Sequence, residues 1–212
     1  MTEYLTVADP SSAEYEEKRS KFIANLVPCS TEKEAIEFIN NTKSRYWDAR
    51  HNCFAYIVED GRLSRFSDDG EPHGTAGNPI LDVLKGAELV NVALVVTRYF
   101  GGVLLGTGGL VRAYSKASRD AVLSAKIVKM VPCVIYSVTC EYQDHSKLIK
   151  LLEASFAEIK STDFTDKVTV SFALKEQDCN EFLLNLTETF SARLVATETE
   201  RTIAPFPQKN ES

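Results

Sequence analysis

All ten glycines of this 212-residue chain fall between Gly61 and Gly109, and five of them sit in the nine residues from Gly101 to Gly109. Glycine permits left-handed backbone and close backbone approach. The chain therefore concentrates its sharp turns in one stretch, and the asymmetry predicts two segments built on different plans. The length suits two domains better than one. No internal repeat or low-complexity tract is present. Pro132 marks the expected boundary, giving domains 1–132 and 133–212.

The first segment reads as mixed α/β. Residues 21–29 (KFIANLVPC) form an expected strand. Thr31 with Glu34 makes a capping box, and Ala35, Ile36, Ile39 and Tyr46 trace one helix face. Residues 51–58 (HNCFAYIV) form a strand rich in aromatic and β-branched residues. Residues 67–79 form a long turn-rich loop, followed by a short helix over 80–85. Residues 91–99 (NVALVVTRY) read as a strand buried on both faces, and a helix is expected from about Gly109 to Lys126.

The second segment alternates cleanly. Val134, Tyr136, Val138, Cys140 and Tyr142 point one way, and Ser137 and Thr139 the other. A helix over 147–156 puts Leu148, Leu151, Leu152 and Phe156 inward. Strands over 158–164 and 167–175, a helix begun by Asp178 and Glu181, and a last strand over 193–199 complete a β-α-β-β-α-β order. That is the ferredoxin-like plan, with helices on one sheet face. The other face, with Ser137, Thr139, Thr169 and Ser171, is free to be solvated or to dock a protein partner. The fold class is thus α+β in two domains.

The formal net charge is -6, which argues against coating nucleic acid by bulk charge. The excess acid is local to the second segment: residues 1–132 carry 16 bases and 17 acids, residues 133–212 carry 8 and 13. A basic face on the first segment remains open. Five scattered cysteines without a CxxC pair imply neither a disulfide framework nor a zinc finger, and read as buried thiols. No apolar run is long enough to span a bilayer. The N-terminus has no signal-peptide pattern and the final PFPQKNES no lipidation motif, so a cytoplasmic protein is expected.

The glycine stretch fails both common nucleotide templates. Gly101 and Gly106 have the Walker A gap, but Thr107 stands where lysine is required. Gly106 and Gly108 open a GxGxxG pattern that Val111 ends wrongly. What remains is a strand, a glycine turn and a helix N-terminus, which suits an anion. Gly101, Gly102, Gly106, Gly108 and Gly109 would present backbone N–H groups. Arg112, Lys116 and Arg119 share one helix face opposite Leu110, Tyr114, Ala117 and Ala121, and Arg98 precedes the turn. These four cations are candidate phosphate contacts. A purely structural turn with solvated arginines remains the alternative.

A second constellation joins His51 and Cys53 on one strand face to Asp68, Asp69, Glu71 and His73. Carboxylates beside histidines suit a metal or acid–base chemistry, with His51, Asp69 and Glu71 as candidate catalytic groups, although the spacing matches no standard metal motif. Asp69-Gly70 is equally ordinary turn chemistry. Trp47, Tyr46 and Tyr99 read as packing residues. No cofactor is implied.

RHNCFAY (50–56), DDGEPHGTAGNPIL (68–81) and VTRYFGGVLLGTGGLVRAYSKA (96–117) together resemble the IMPACT family in its bacterial YigZ-like form. The resemblance marks a motif surface at Arg50, His51, Cys53, Asp68, Asp69, Glu71, Gly74 and Thr75, with Gly70, Pro72, Gly77, Arg98, Tyr99 and Tyr114 beside it. It implies an N-terminal fold shared by domain IV of elongation factor G and RNase PH, and a C-terminal domain similar to domain V of elongation factor G. It also implies a link to translation control through RNA or ribosome binding, and 212 residues are expected to leave no room for the additional N-terminal domain of eukaryotic members. Two rivals stay open: a metal-assisted hydrolase or nuclease using His51, Asp68, Asp69 and Glu71, and a protein-binding module.

Overall fold

The computed structural model describes residues 3–206, so the PFPQKNES segment beyond Phe206 lies outside the described residues. The chain divides into one unit over Tyr4–Lys129 and a second that begins at Met130. Both are α+β.

In the first unit the strands are β1 (Tyr4–Val7), β2 (Ser11–Glu17), β3 (Ser20–Pro28), β4 (His51–Val58), β5 (Leu63–Ser67) and β6 (Val92–Tyr99). The helices are α1 (Glu32–Arg45), α2 (Gly77–Gly86) and α3 (Gly106–Leu123). One sheet runs β2-β3-β6-β4-β5 with every neighbouring pair antiparallel. β6 lies at its centre, buried on both faces, because its side chains alternate between two apolar layers. Ala93 and Val95 join Ala35, Ile39 and Tyr56 beneath α1. Leu94 and Val96 join Phe22, Leu84, Leu110 and Tyr114 beneath α2 and α3.

Local chemistry sets the helix starts. Thr31 Oγ1 accepts the Glu34 N–H at 3.2 Å, and Glu34 Oε2 accepts the Thr31 N–H at 3.3 Å, closing the capping box of α1. Thr42 takes the inward place expected of Ile36, which is 47% exposed. α2 begins at Gly77 rather than at Ile80 and α3 at Gly106 rather than Gly109, so three of the glycines form a helical first turn instead of a loop. β1, β2 and β5 lie outside the expected strands. β2 (SSAEYEE) is poor in β-branched residues and is held as a strand by pairing with β3, which tertiary context allows.

The second unit contains β7 (Ile127–Cys140) from Met130 onward, α4 (Tyr142–Ala154), β8 (Glu158–Phe164), β9 (Val168–Lys175), α5 (Cys179–Thr189) and β10 (Ala196–Pro205). The order β10-β7-β9-β8, antiparallel throughout, is that of the ferredoxin-like plan. Val134, Tyr136, Val138, Phe172, Phe182 and Leu186 form its core. β7 runs through Pro132 without a break; its ladder to β9 starts only at Cys133, beyond the missing N–H. Tyr142 opens α4 and is 54% exposed, and Phe156 lies past that helix and is 63% exposed, so neither points inward as expected. The opposite sheet face is less open than the sequence implies. Phe206 packs with Cys133 and Ala173 on it, while Thr139 and Thr169 hydroxyls bond each other at 3.0 Å.

All five cysteines are free and buried. Among the described residues no helix is long and apolar enough to cross a membrane. Replacing Thr31 with alanine removes an exposed cap; an unfolding free energy lower by about 1 kcal/mol is expected in urea denaturation.

Candidate functional site

The register of the first sheet brings the singled-out segments to one end. Lys21 opposes Tyr99, and His51 opposes Arg98, so the starts of β3 and β4 meet the end of β6. Beneath that end lies a buried polar network. Glu71, its side chain 3% exposed, accepts Arg98 Nη1 at 2.6 Å and the Tyr114 hydroxyl at 2.8 Å on the same oxygen. Cys53 Sγ lies 3.3 Å from that hydroxyl and 2.9 Å from the Asp68 carbonyl oxygen. The Arg98 guanidinium also sits 5.6 Å from the rings of both Phe22 and Phe100. Burial pushes the Tyr114 phenol far above its usual range, with Cys53 and Glu71 adding to the effect, so it stays a donor. Burial likewise pushes the Cys53 thiol up, against the opposing bond from Tyr114.

Two expectations are corrected here. Arg98 is not a surface cation, because its side chain is 7% exposed and its charge is matched by Glu71. Glu71 is not a free base or ligand, because its buried carboxylate holds Arg98 and Tyr114. A buried carboxylate needs such partners.

The loop between β5 and α2 uses its other acids the same way. Asp68 accepts N–H groups from Gly74 at 2.8 Å, Ala76 at 3.1 Å and Gly77 at 2.8 Å, capping α2. Burial alone would raise its pKa. The three backbone donors, with His73 nearby, outweigh that and hold the carboxyl below its ordinary range. Asp69, in left-handed conformation at φ 43°, accepts Lys43 Nζ and the Asn52 N–H, each at 2.7 Å. Its carbonyl lies 2.9 Å from His51 Nδ1. A carbonyl only accepts, so Nδ1 carries the proton and Nε2 is the remaining ring nitrogen. Thr75 donates to the Pro72 carbonyl at 2.6 Å. His73 is fully exposed, 3.7 Å from Asp68. Among the described residues no three acidic, histidine or cysteine side chains converge as a metal-ligand set. Arg50 is exposed, with no partner among the described residues.

The glycines act at the boundary of this network. A Cβ on Gly101 would lie 2.0 Å from the Arg19 backbone carbon, so only glycine lets β6 leave the sheet against the β2–β3 turn. Gly106, at φ 71°, opens α3. The cap residue Leu105 supplies no side-chain acceptor, and the first turn carries no acid. Among the described residues no side chain caps that first turn, an arrangement that suits an anion. Leu110, Tyr114, Ala117 and Ala121 face the core, and Arg112, Lys116 and Arg119 are exposed. Lys116 pairs with Asp120. Arg112 and Arg119 have no partner among the described residues. Together with Lys18 these three cations line a cleft of about 330 Å³ between α3 and the β2–β3 turn. Its one acid, Glu17, accepts the Tyr15 hydroxyl at 2.7 Å. Lys18 escaped the sequence reading; the adjacent Lys18-Arg19 pair before a strand was its signal. Trp47, expected to pack, is 82% exposed.

Residues 18–122 match the family profile described as the Impact N-terminal domain, and residues 138–193 match a domain of unknown function, DUF1949. The chain is 36% identical over 200 residues to "IMPACT family member YvyE" of Bacillus subtilis (strain 168), covering 94% of this chain and 92% of that one. It is 35% identical over 191 residues to "IMPACT family member YigZ" of Escherichia coli (strain K12), covering 89% and 94%. "Protein IMPACT" of Homo sapiens is 33% identical over 96 residues, 42% of this chain and 29% of that protein. A crystal structure described only as that of a hypothetical protein superposes with TM-score 0.61 at 33% identity, covering 94% and 98%.

Two outcomes follow from the network and the cap. Arg98→Met leaves Glu71 buried without its cation and lowers stability by about 3–5 kcal/mol in chemical denaturation, and adding Glu71→Gln recovers part of the loss. Asp68 is depressed in the folded state. Its contribution is therefore complete above the ordinary carboxyl value of 3.8 and is lost as pH falls through the lower folded value. Thermal midpoints measured from neutral pH into acid should fall there, and Asp68→Asn should flatten that fall while lowering stability at neutral pH by about 1–2 kcal/mol.

Proposed function

The chain belongs to the IMPACT family, and from that premise we propose that it is a non-enzymatic, cytoplasmic RNA- or ribosome-associated protein acting in the regulation of translation. The phosphate contacts are Arg112, Lys116 and Arg119 on α3, joined by Lys18 across the cleft. The backbone N–H groups of Gly106 and Gly108 add to them at the helix N-terminus. Arg98 acts beneath this surface as the buried partner of Glu71. The resemblance to translation-factor domains points the same way.

The observation that carries this reading is the state of the charges. Lys43 and Arg98 are both taken up by carboxylates at this end of the sheet. Arg112 and Arg119 are exposed on one helix face, beside an uncapped helix N-terminus that has no acid in its first turn. Two free guanidinium groups and free backbone donors on one wall of a cleft suit the spread charge of a phosphate backbone. The overall acidity keeps non-specific attachment weak, so contact depends on this local surface.

The test is RNA or ribosome binding across a salt series, with the triple variant Arg112→Ala, Lys116→Ala, Arg119→Ala. All three side chains are exposed, so circular dichroism should match the parent. Affinity at fixed salt should drop, and the log–log salt slope should shrink by about 2, at roughly 0.7 per phosphate contact on single strands. Equal binding by parent and folded variant would remove the reading.

A further inference from the structure

Trp47 is the chain's single tryptophan, and 82% of its surface is exposed. That is costly for the largest apolar side chain in the absence of a ligand. The turn that carries it is nonetheless well tied down. The Tyr46 N–H donates to the Thr42 carbonyl at 3.0 Å, closing α1, and the Ala49 N–H donates to the Tyr46 carbonyl at 3.0 Å. Asp48, the next residue, accepts the Tyr99 hydroxyl at 2.8 Å, which fastens the turn to the end of β6. The indole is thus presented by a fixed support at the same end of the sheet as the glycine stretch.

The surroundings say what kind of ligand fits. Arg45, two residues before, lies 5.3 Å over the Tyr46 ring and makes no ion pair among the described residues. Arg50, three residues after, is exposed and unpartnered among them. The acid in this turn, Asp48, is engaged by Tyr99. Here the neighbours in sequence are two exposed cations, and past Tyr99 the apolar Phe100 and Leu104 are 44% and 83% exposed. Aromatic faces interleaved with arginines match a strand whose bases stack and whose phosphates are charged. In a duplex the base faces are already stacked on each other, so an exposed indole gains contact only with an unpaired base.

We propose that Trp47 is a stacking platform for an unpaired base, with Arg45 and Arg50 contacting the flanking phosphates, so that the ligand is single-stranded RNA. This rests on the RNA reading above and narrows it. The bound strand would engage two places on the first unit, the basic cleft beside α3 and the indole at the end of α1.

The lone tryptophan supplies its own readout. The full chain is titrated with a short mixed-sequence single-stranded RNA and with the blunt duplex of the same sequence. The single strand should quench the indole fluorescence, and the duplex should leave it unchanged at equal phosphate concentration. Binding is measured in parallel by anisotropy of labelled RNA. Trp47→Ala should weaken single-strand binding about 5-fold or more, Trp47→Phe should keep most of it, and duplex binding should be indifferent to both. The side chain projects into solvent, so neither variant should disturb the fold, as circular dichroism will verify. Single-strand binding that needs Arg112, Lys116 and Arg119 but leaves the indole unquenched, and is equal in Trp47→Ala, overturns the platform and leaves the RNA reading standing. An equal loss on both RNA forms in Trp47→Ala also overturns it. No binding of either RNA by the parent overturns the platform and, with it, the free-RNA form of the reading above.

Discussion

The carboxylate of Glu71 organises the first unit. It is almost wholly buried, and it is bonded on one oxygen by Arg98 of β6 and by Tyr114 of α3. A buried carboxylate is tolerable only when its donors are in place. The loop that carries Glu71 is therefore clamped to both strand and helix. Asp68 and Asp69, on the same loop, cap α2 and fasten α1 to β4. The three acidic residues flanking Gly70 thus tie three helices and the central sheet together. What reads as a reactive cluster is, in space, the set of fastenings that hold a surface in shape.

The division of the arginines follows from this. Arg98 lies inside, between two phenyl rings and a carboxylate, and contributes form. Arg112 and Arg119 lie outside and contribute charge. Residue type alone does not separate them, and the sequence spacing that places Arg112, Lys116 and Arg119 on one helix face says nothing about Arg98. The strand register decides it: Arg98 sits opposite His51 and Phe22, with its side chain toward α3.

The elements read most directly from the sequence were those with strong local signals. The capping box of α1, the two-faced burial of β6 and the alternation in β7 and β9 each follow from periodicity or a short-range bond. The β-α-β-β-α-β order of the second unit followed from these. Elements governed by partners were not legible. β2 is a strand because β3 is beside it, and α2 starts early because a carboxylate nine residues away caps Gly77. At the site the helix stripe of Arg112, Lys116 and Arg119 was legible, being a matter of spacing. The roles of Arg98 and Glu71 were not, because a long-range ion pair leaves no local pattern. Trp47 was misjudged for a related reason. Tryptophan is usually packed, and only the fold shows that this one lies exposed in the turn past the end of α1.

The setting of Arg98 has a consequence for how chains of this kind tolerate change. Its guanidinium is flat, lies beside two aromatic rings and reaches Glu71 by a directed N–H. A lysine at 98 would keep the charge and lose both the planar stacking and the fixed donor geometry. Positions 71, 98 and 114 are coupled through the carboxylate: losing Glu71 strands both donors, while losing Arg98 or Tyr114 leaves the buried carboxylate with one donor fewer. A chain that kept every glycine of the 101–109 stretch but lost one of these three would retain the turn and lose the floor beneath it.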